Sequence, residues 1–272
     1  MNIRLIAGLT VLVVLVVAAV LAPWLAPHDP MTQSLFNQLL PPAWLAGGDA
    51  NFLLGTDNLG RDLLSRLIYG AQPALLVMFV GATLSGMLGV VLGLIAGFFG
   101  GWLDAVISRI VDVFMSFPPM LLAIVLVAVV GPGVGAVITA IILIGWTRSC
   151  RLVRGEVLAL REQEFVTSAR VLGVSRLRMI VHEILPNLLP LLSVLFGLEM
   201  GRAIVTETIL SFVGFSSSSI PTWGSIIADS RPYIYQAWWA MAYPTLVIMI
   251  AVLGLNALGD GLRQATDPLA RR

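Results

Sequence analysis

The sequence predicts an all-α, polytopic membrane protein with about six transmembrane helices, and three observations carry that reading. The 272-residue chain is 58% hydrophobic and only 11% charged, whereas a soluble domain carries about 25% charged residues. Several uncharged runs reach the roughly 20 apolar residues that a helix needs to cross a hydrocarbon core ~30 Å thick. The arginines gather in one polar insert and at one set of run ends instead of spreading along a face. A net charge of +1 carries no signal for nucleic acid. The single cysteine, Cys150, cannot close an internal disulfide and signals neither redox nor metal chemistry. His28 and His182 lie far apart in sequence, so no local metal cluster is visible.

The spans follow in order. Residues 5–22 carry no charge and form the first. Residues 74–99 form the second. Residues 113–147 are again uncharged, but a single helix there would be about 50 Å long at 1.5 Å per residue. The GPGVG stretch at 131–135 divides it into a third and a fourth span, and Arg148 is expected to snorkel to the interface at the end of the fourth. Residues 184–215 form the fifth span and residues 237–258 the sixth. The expected plan is a first transmembrane helix within 1–25, an extracytoplasmic loop at 26–73, a five-helix core at 74–260 and a tail at 261–272. In the outer loop, Asp57 is a candidate cap and residues 62–69 a short interfacial helix. The first segment has the small residues of a signal peptide, but its apolar run is long and its basic end thin. An uncleaved span is expected.

Six spans put both termini on one side, together with the 100–112 connection and the polar insert at 150–187. Twelve arginines fall there: Arg4, Arg109, Arg148, Arg151, Arg154, Arg161, Arg170, Arg176, Arg178, Arg263, Arg271 and Arg272. Arg61, Arg66 and Arg231 face the other way. The positive-inside rule assigns the arginine-rich side to the cytoplasm.

Within the insert, residues 151–161 have helical spacing, with Arg151, Arg154 and Arg161 on the polar sides. Glu164 to Leu172 reads as a second short helix. Gly173 then stands where a helix end takes a left-handed residue, and Ser175 caps a further helix running toward Pro186. A short rigid helix held below the bilayer is a lever for a cytoplasmic partner. An amphipathic loop resting on the membrane surface is the alternative.

TSARVLGVSRLRMIVHEILP, residues 167–186, resembles the signature loop of permease subunits of ABC importers. Ala169, Gly173 and the Leu185-Pro186 pair fall at the family spacing. Thr167, Ser168 and Glu183 depart from it. LLGTDNLGRDLLSRLIYGAQPALL (53–76), FVGFSSSSIPTWGSIIADSRPYI (212–234) and NALGDGLRQATDPLARR (256–272) are similar to the dipeptide/oligopeptide/nickel permeases, and the short N-terminus to the C-type member of the permease pair. The resemblance implies the type I importer permease architecture in the bacterial cytoplasmic membrane. It implies no cofactor on this chain, with ATP and Mg used by two cytoplasmic ABC ATPase subunits. The other implied partners are a second permease subunit and an extracytoplasmic substrate-binding protein. It makes 164–173 the coupling helix, with Phe165, Val166 and Ala169 as a small apolar docking face, Glu164 and Arg170 as rim charges and Gly173 as the turn. The implied cargo is a dipeptide or oligopeptide, with nickel or a metal chelate as the alternative.

No phosphate-binding loop is present and no lysine to serve one, and no nucleophile elbow or zinc-protease motif appears. The chain is expected to be a non-catalytic subunit. Glu199, Arg202 and Glu207 lie inside the fifth span, where buried charge costs ~2.5–3.5 kcal/mol at the helix centre on insertion scales. Glu199 and Arg202 are spaced to pair along the helix. These charges read either as a structural pair at a subunit seam or as a lining of the substrate path. An ion-gradient-driven transporter would call for inverted repeats and broken helices around midplane ligands, and no convincing repeat is visible. Gly89, Gly93 and Gly97 recur every fourth residue, a face for close helix packing. Trp223, Tyr233, Trp238 and Trp239 read as interfacial belt anchors.

Overall fold

The computed structural model describes residues 3–215 and 219–266. The expected tail, with Arg271 and Arg272, lies largely outside the described residues. In chain order the helices are α1 (Ile3–Val20), α2 (Leu63–Phe99), α3 (Gly101–Ser116), α4 (Pro119–Val130), α5 (Val134–Leu160), α6 (Glu164–Val171), α7 (Arg176–Phe212), α8 (Trp223–Ser230) and α9 (Trp238–Thr266). Among the described residues the backbone forms no strand beyond one isolated bridge between Thr56 and Asp62. Helices α1, α2, α5, α7 and α9 are each long and apolar enough to cross a membrane, and α3 with α4 supplies a sixth crossing when counted as one broken span.

Four of the crossing helices, with α9 continuing to Thr266, overrun the limits expected from hydropathy, because backbone hydrogen bonding does not stop where the apolar run stops. Helix α2 starts at Leu63, capped by Asp62, whose carboxylate accepts the Ser65 N–H at 2.9 Å. The separate interfacial helix expected at 62–69 is therefore the first turns of the span, and the cap is Asp62, not Asp57. Helix α5 continues past Thr147 to Leu160, so the first helix of the insert is the C-terminal end of a candidate membrane helix. Helix α7 begins at Arg176 and runs through Pro186. A π-turn at Ile180–Ile184 precedes that proline, and a second, at Val77–Gly81 in α2, follows Pro73. Wide turns of this kind absorb the ladder bond that a proline cannot make.

The break expected only at 131–135 has a counterpart upstream. Helices α3 and α4 meet at 88°. Each proline of the Pro118-Pro119 pair drives the residue before it out of the helical region, so Phe117 takes φ −92°, ψ 141° and Pro118 takes φ −57°, ψ 121°. Pro119 then opens α4, a position that needs no N–H.

Glycines set the closest helix contacts. A methyl on Gly93 would stand 2.7 Å from the Cys150 carbonyl oxygen, and one on Gly97 2.8 Å from Val157 Cβ. The glycine face of α2 therefore seats against α5, as the spacing predicts. Helix α9 packs between α1 and α7. Gly254 and Gly261 meet Val11 and Leu5 of α1, and Gly259 lies against Gly197 of α7. Val13, Val14 and Val17 of α1 remain outward.

Two of the expected belt tryptophans belong to the core. Trp223 is buried and donates its indole N–H to the Leu67 carbonyl at 3.0 Å. Trp239 is buried and donates to Thr56 O at 3.4 Å. An indole that finds an acceptor loses its reason to stay at the interface. Trp238 is half exposed, as a belt residue would be.

Candidate functional site

The insert between α5 and α7 folds as a stiff bracket. Helix α6 ends at Gly173, with φ +74°. The Val174 N–H bonds the Ala169 carbonyl at 3.1 Å and the Gly173 N–H bonds the Arg170 carbonyl at 3.1 Å, the paired closure of a Schellman motif. Any other L-residue at 173 would be strained in this turn. Ser175 occupies the cap position of α7, although its side chain makes no capping bond.

The structure divides the residues expected to dock. Val166 and Ala169 turn inward and pack with Val153, Val157, Met179 and Leu188 of the same chain, so they fix α6 to its own bundle and are not a free docking face. Glu164, Phe165 and Arg170 face outward. They are joined there by Val171 and Leu172, both more than 80% exposed, and by Leu177. The two-sided pattern of α6 was legible as helical spacing, but which apolar side faced the chain was not.

Below α6 the bundle is tied by charge. Arg154 grips Asp104 of α3 with two hydrogen bonds, one of 2.7 Å from Nη2. Arg151 pairs with Asp112 at 2.6 Å, and Arg161 donates to the Gly97 carbonyl at 2.9 Å.

A cavity of about 590 Å³ opens between the α3–α4 elbow, α5, α7 and α9. Phe114, Met115 and Met120 form an apolar wall, and Arg148, Glu199 and Arg202 bring the charge. Arg202 Nη1 donates to Glu199 Oε1 at 2.8 Å, the i, i+3 pair expected from spacing. Glu199 is nearly buried while the Arg202 side chain is 43% exposed. Arg148, expected to snorkel at a span end, lies within the continuous α5, lines the cavity and is exposed on this chain. Glu207 stands apart from this group. It is buried, accepts a 2.6 Å hydrogen bond from the Ser211 hydroxyl and has Thr222, the cap of α8, within hydrogen-bonding reach. That places it at the joint between α7 and α8 and away from the cavity lining.

A second charged group, which sequence reasoning missed, closes the opposite end of the bundle, where the 26–62 loop meets α2 and α8. Asp57 Oδ2 accepts Arg61 Nε at 2.7 Å and also Arg66 Nη1. Asp57 Oδ1 accepts the backbone N–H groups of Leu59 and Arg61 at 2.9 and 3.0 Å. Asp229 on α8 receives Arg61 at 2.9 Å and Arg66 at 3.3 Å. Asp57, Arg61 and Arg66 are all buried. The only signal in the sequence was the crowding of charge in GTDNLGRDLLSR; Asp229 lies more than 160 residues away.

Comparison with known proteins agrees with this architecture. The family model described as "Binding-protein-dependent transport system inner membrane component" matches residues 89–272. A second, "N-terminal TM domain of oligopeptide transport permease C", matches residues 2–42. The chain is 40% identical to the di/tripeptide transport system permease protein DppC of Pseudomonas aeruginosa over 262 residues, covering 96% of this chain and 86% of that protein. It is 41% identical to the dipeptide transport system permease protein DppC of Escherichia coli K12, covering 97% and 88%. Among solved structures, a chain of the inward-facing MetNI methionine ABC transporter superposes with TM-score 0.65 at 20% identity, covering 75% of this chain and 98% of that one. The bracketed α6 and the multi-span bundle around the cavity are thus those of an ABC importer permease: the chain is a multi-pass member of the binding-protein-dependent transport system inner membrane component family.

Proposed function

We propose that this chain forms one half of the pathway by which an ATP-driven importer carries dipeptides and related short peptides across the cytoplasmic membrane. The observation that carries the cargo is the 40–41% identity, over nearly the whole chain, to permeases named for dipeptides and tripeptides. A second, different permease subunit completes the pathway, two cytoplasmic ATPase subunits drive it with ATP and Mg, and an extracytoplasmic binding protein delivers the cargo. Both termini and α6 face the cytoplasm, in line with the arginine bias.

Helix α6 is the coupling element. Phe165, Val171 and Leu172 insert into an ATPase cleft, Glu164 and Arg170 sit at the rim, and Gly173 keeps the turn tight. Val166 and Ala169 transmit the motion inward because they are packed on α5 and α7. ATPase closure displaces this bracket as a unit and re-angles α5 and α7 on either side of the cavity.

The test uses the complete importer in proteoliposomes with its loaded binding protein. Dipeptide uptake stops when ATP is withdrawn and persists with a protonophore; the opposite pattern would indicate an ion-gradient transporter. Leu172→Asp leaves the protein inserted in the membrane but removes the ATPase subunits from the purified complex. Normal ATPase retention by that variant rules out α6 as the dock.

A further inference from the structure

Charge in the cavity between the α3–α4 elbow, α5, α7 and α9 does not balance. Arg148 and Arg202 contribute two positive charges and Glu199 one negative. Glu199 is engaged by Arg202, and among the described residues no salt bridge forms to Arg148. An uncompensated guanidinium inside a membrane protein is costly and is retained where it faces a water-filled route or awaits a partner. The rest of the lining is mostly apolar, with Phe114, Met115 and Met120 along one wall and Thr147, Thr206 and Asn256 as uncharged polar members. Thioether side chains repack around different shapes. At about 590 Å³ the cavity falls within the ~300–1,000 Å³ of small-ligand sites.

We propose that Arg148, together with the exposed edge of Arg202, is a station for the C-terminal carboxylate of a peptide in transit. The proposal rests on the peptide-importer reading above and adds to it the cargo group and the residues that receive it. A guanidinium offers a planar fork that matches a carboxylate, with a second cation alongside to share the charge. The carboxylate is common to every free peptide, and the side chains are not. A fixed cationic pair beside a soft apolar wall therefore suits a cargo set with a constant terminus and variable side chains. The Glu199 carboxylate holds Arg202 in place and leaves one surplus positive charge for the cargo.

The experiment uses the whole importer, with binding protein and ATPases, in proteoliposomes. Uptake of a free dipeptide is compared with that of its C-terminal amide at equal occupancy of the binding protein. Wild type prefers the free acid by about tenfold or more, the scale of one hydrogen-bonded charge contact. Arg148→Gln erases that preference, chiefly by slowing the free acid, while the permease pair still co-purifies. Arg148→Lys restores part of it. Arg151→Gln, outside the cavity, keeps the wild-type preference. The station is refuted by an Arg148→Gln importer that retains the full preference. It is equally refuted if the variant loses the second permease subunit, which would assign Arg148 to a carboxylate across the seam. A wild-type importer that carries no peptide at all overturns the underlying peptide reading, a result distinct from either.

Discussion

The two arginine–carboxylate groups of this chain use the same chemistry to opposite ends. Where the 26–62 loop meets α2 and α8, Asp57, Arg61, Arg66 and Asp229 balance charge for charge, and Asp57 accepts four hydrogen bonds. In the cavity, Arg148, Glu199 and Arg202 carry one positive charge too many and leave a guanidinium edge open. The first group joins the loop before α2, the start of α2 and α8, and both of its arginines share both carboxylates, with only Arg66 Nε of its buried side-chain atoms left without a partner among the described residues. The second lines the cavity and is incomplete. The lesson is that saturation, more than the mere presence of buried charge, separates a structural cluster from a candidate recognition site.

That contrast predicts a ranking. Asp57→Asn leaves the buried Arg61 and Arg66 to share Asp229 as their remaining carboxylate, and breaking a buried pair costs up to about 3–5 kcal/mol. The thermal unfolding midpoint of the purified protein should drop sharply; an unchanged midpoint would remove the Asp57 cluster from the list of structural ties. Next, Glu207→Ala leaves the Ser211 hydroxyl without its buried acceptor, a loss of about 1–3 kcal/mol, visible as earlier proteolysis around α8. Glu199→Gln should lower stability by about 1 kcal/mol or less, because its partner is 43% exposed and screened, yet uptake should change more than stability does. Equal damage to both readouts would make the cavity pair structural after all. Smallest is Asp112→Asn. Its pair with Arg151 is about half exposed on both sides and is worth at most ~0.5–1 kcal/mol, so thermal scans of that variant should overlay the parent.

Legibility in the sequence followed the range of the interaction. The spans were readable because lipid imposes length and hydropathy on each segment separately, and the Gly173 turn because a left-handed helix end is local. The glycine face of α2 was readable from its four-residue repeat alone. The 88° elbow had a local signal in Pro118-Pro119, but the glycine-rich break downstream already satisfied the length argument. Asp229 meeting Arg61 had no local signal, since the partners come together only once α8 folds over α2. Trp223 and Trp239 looked interfacial because their acceptors, Leu67 O and Thr56 O, are distant backbone groups. The helical continuation of α5 past Thr147 had no signal in hydropathy, because a helix can outrun its apolar stretch.

The π-turn at Ile180–Ile184 gives this chain built-in slack. It slips one extra residue into the helical ladder between the α6 bracket and the cavity, and a π-turn spends that residue on the same full rotation that an α-turn completes with one fewer. Excising a single residue from 180–184 would therefore let the ordinary ladder close with the Glu199–Arg202 edge still facing nearly the same way relative to α6. One surplus peptide unit thus works as an expansion joint in a helix that otherwise runs unbroken from Arg176 to Phe212.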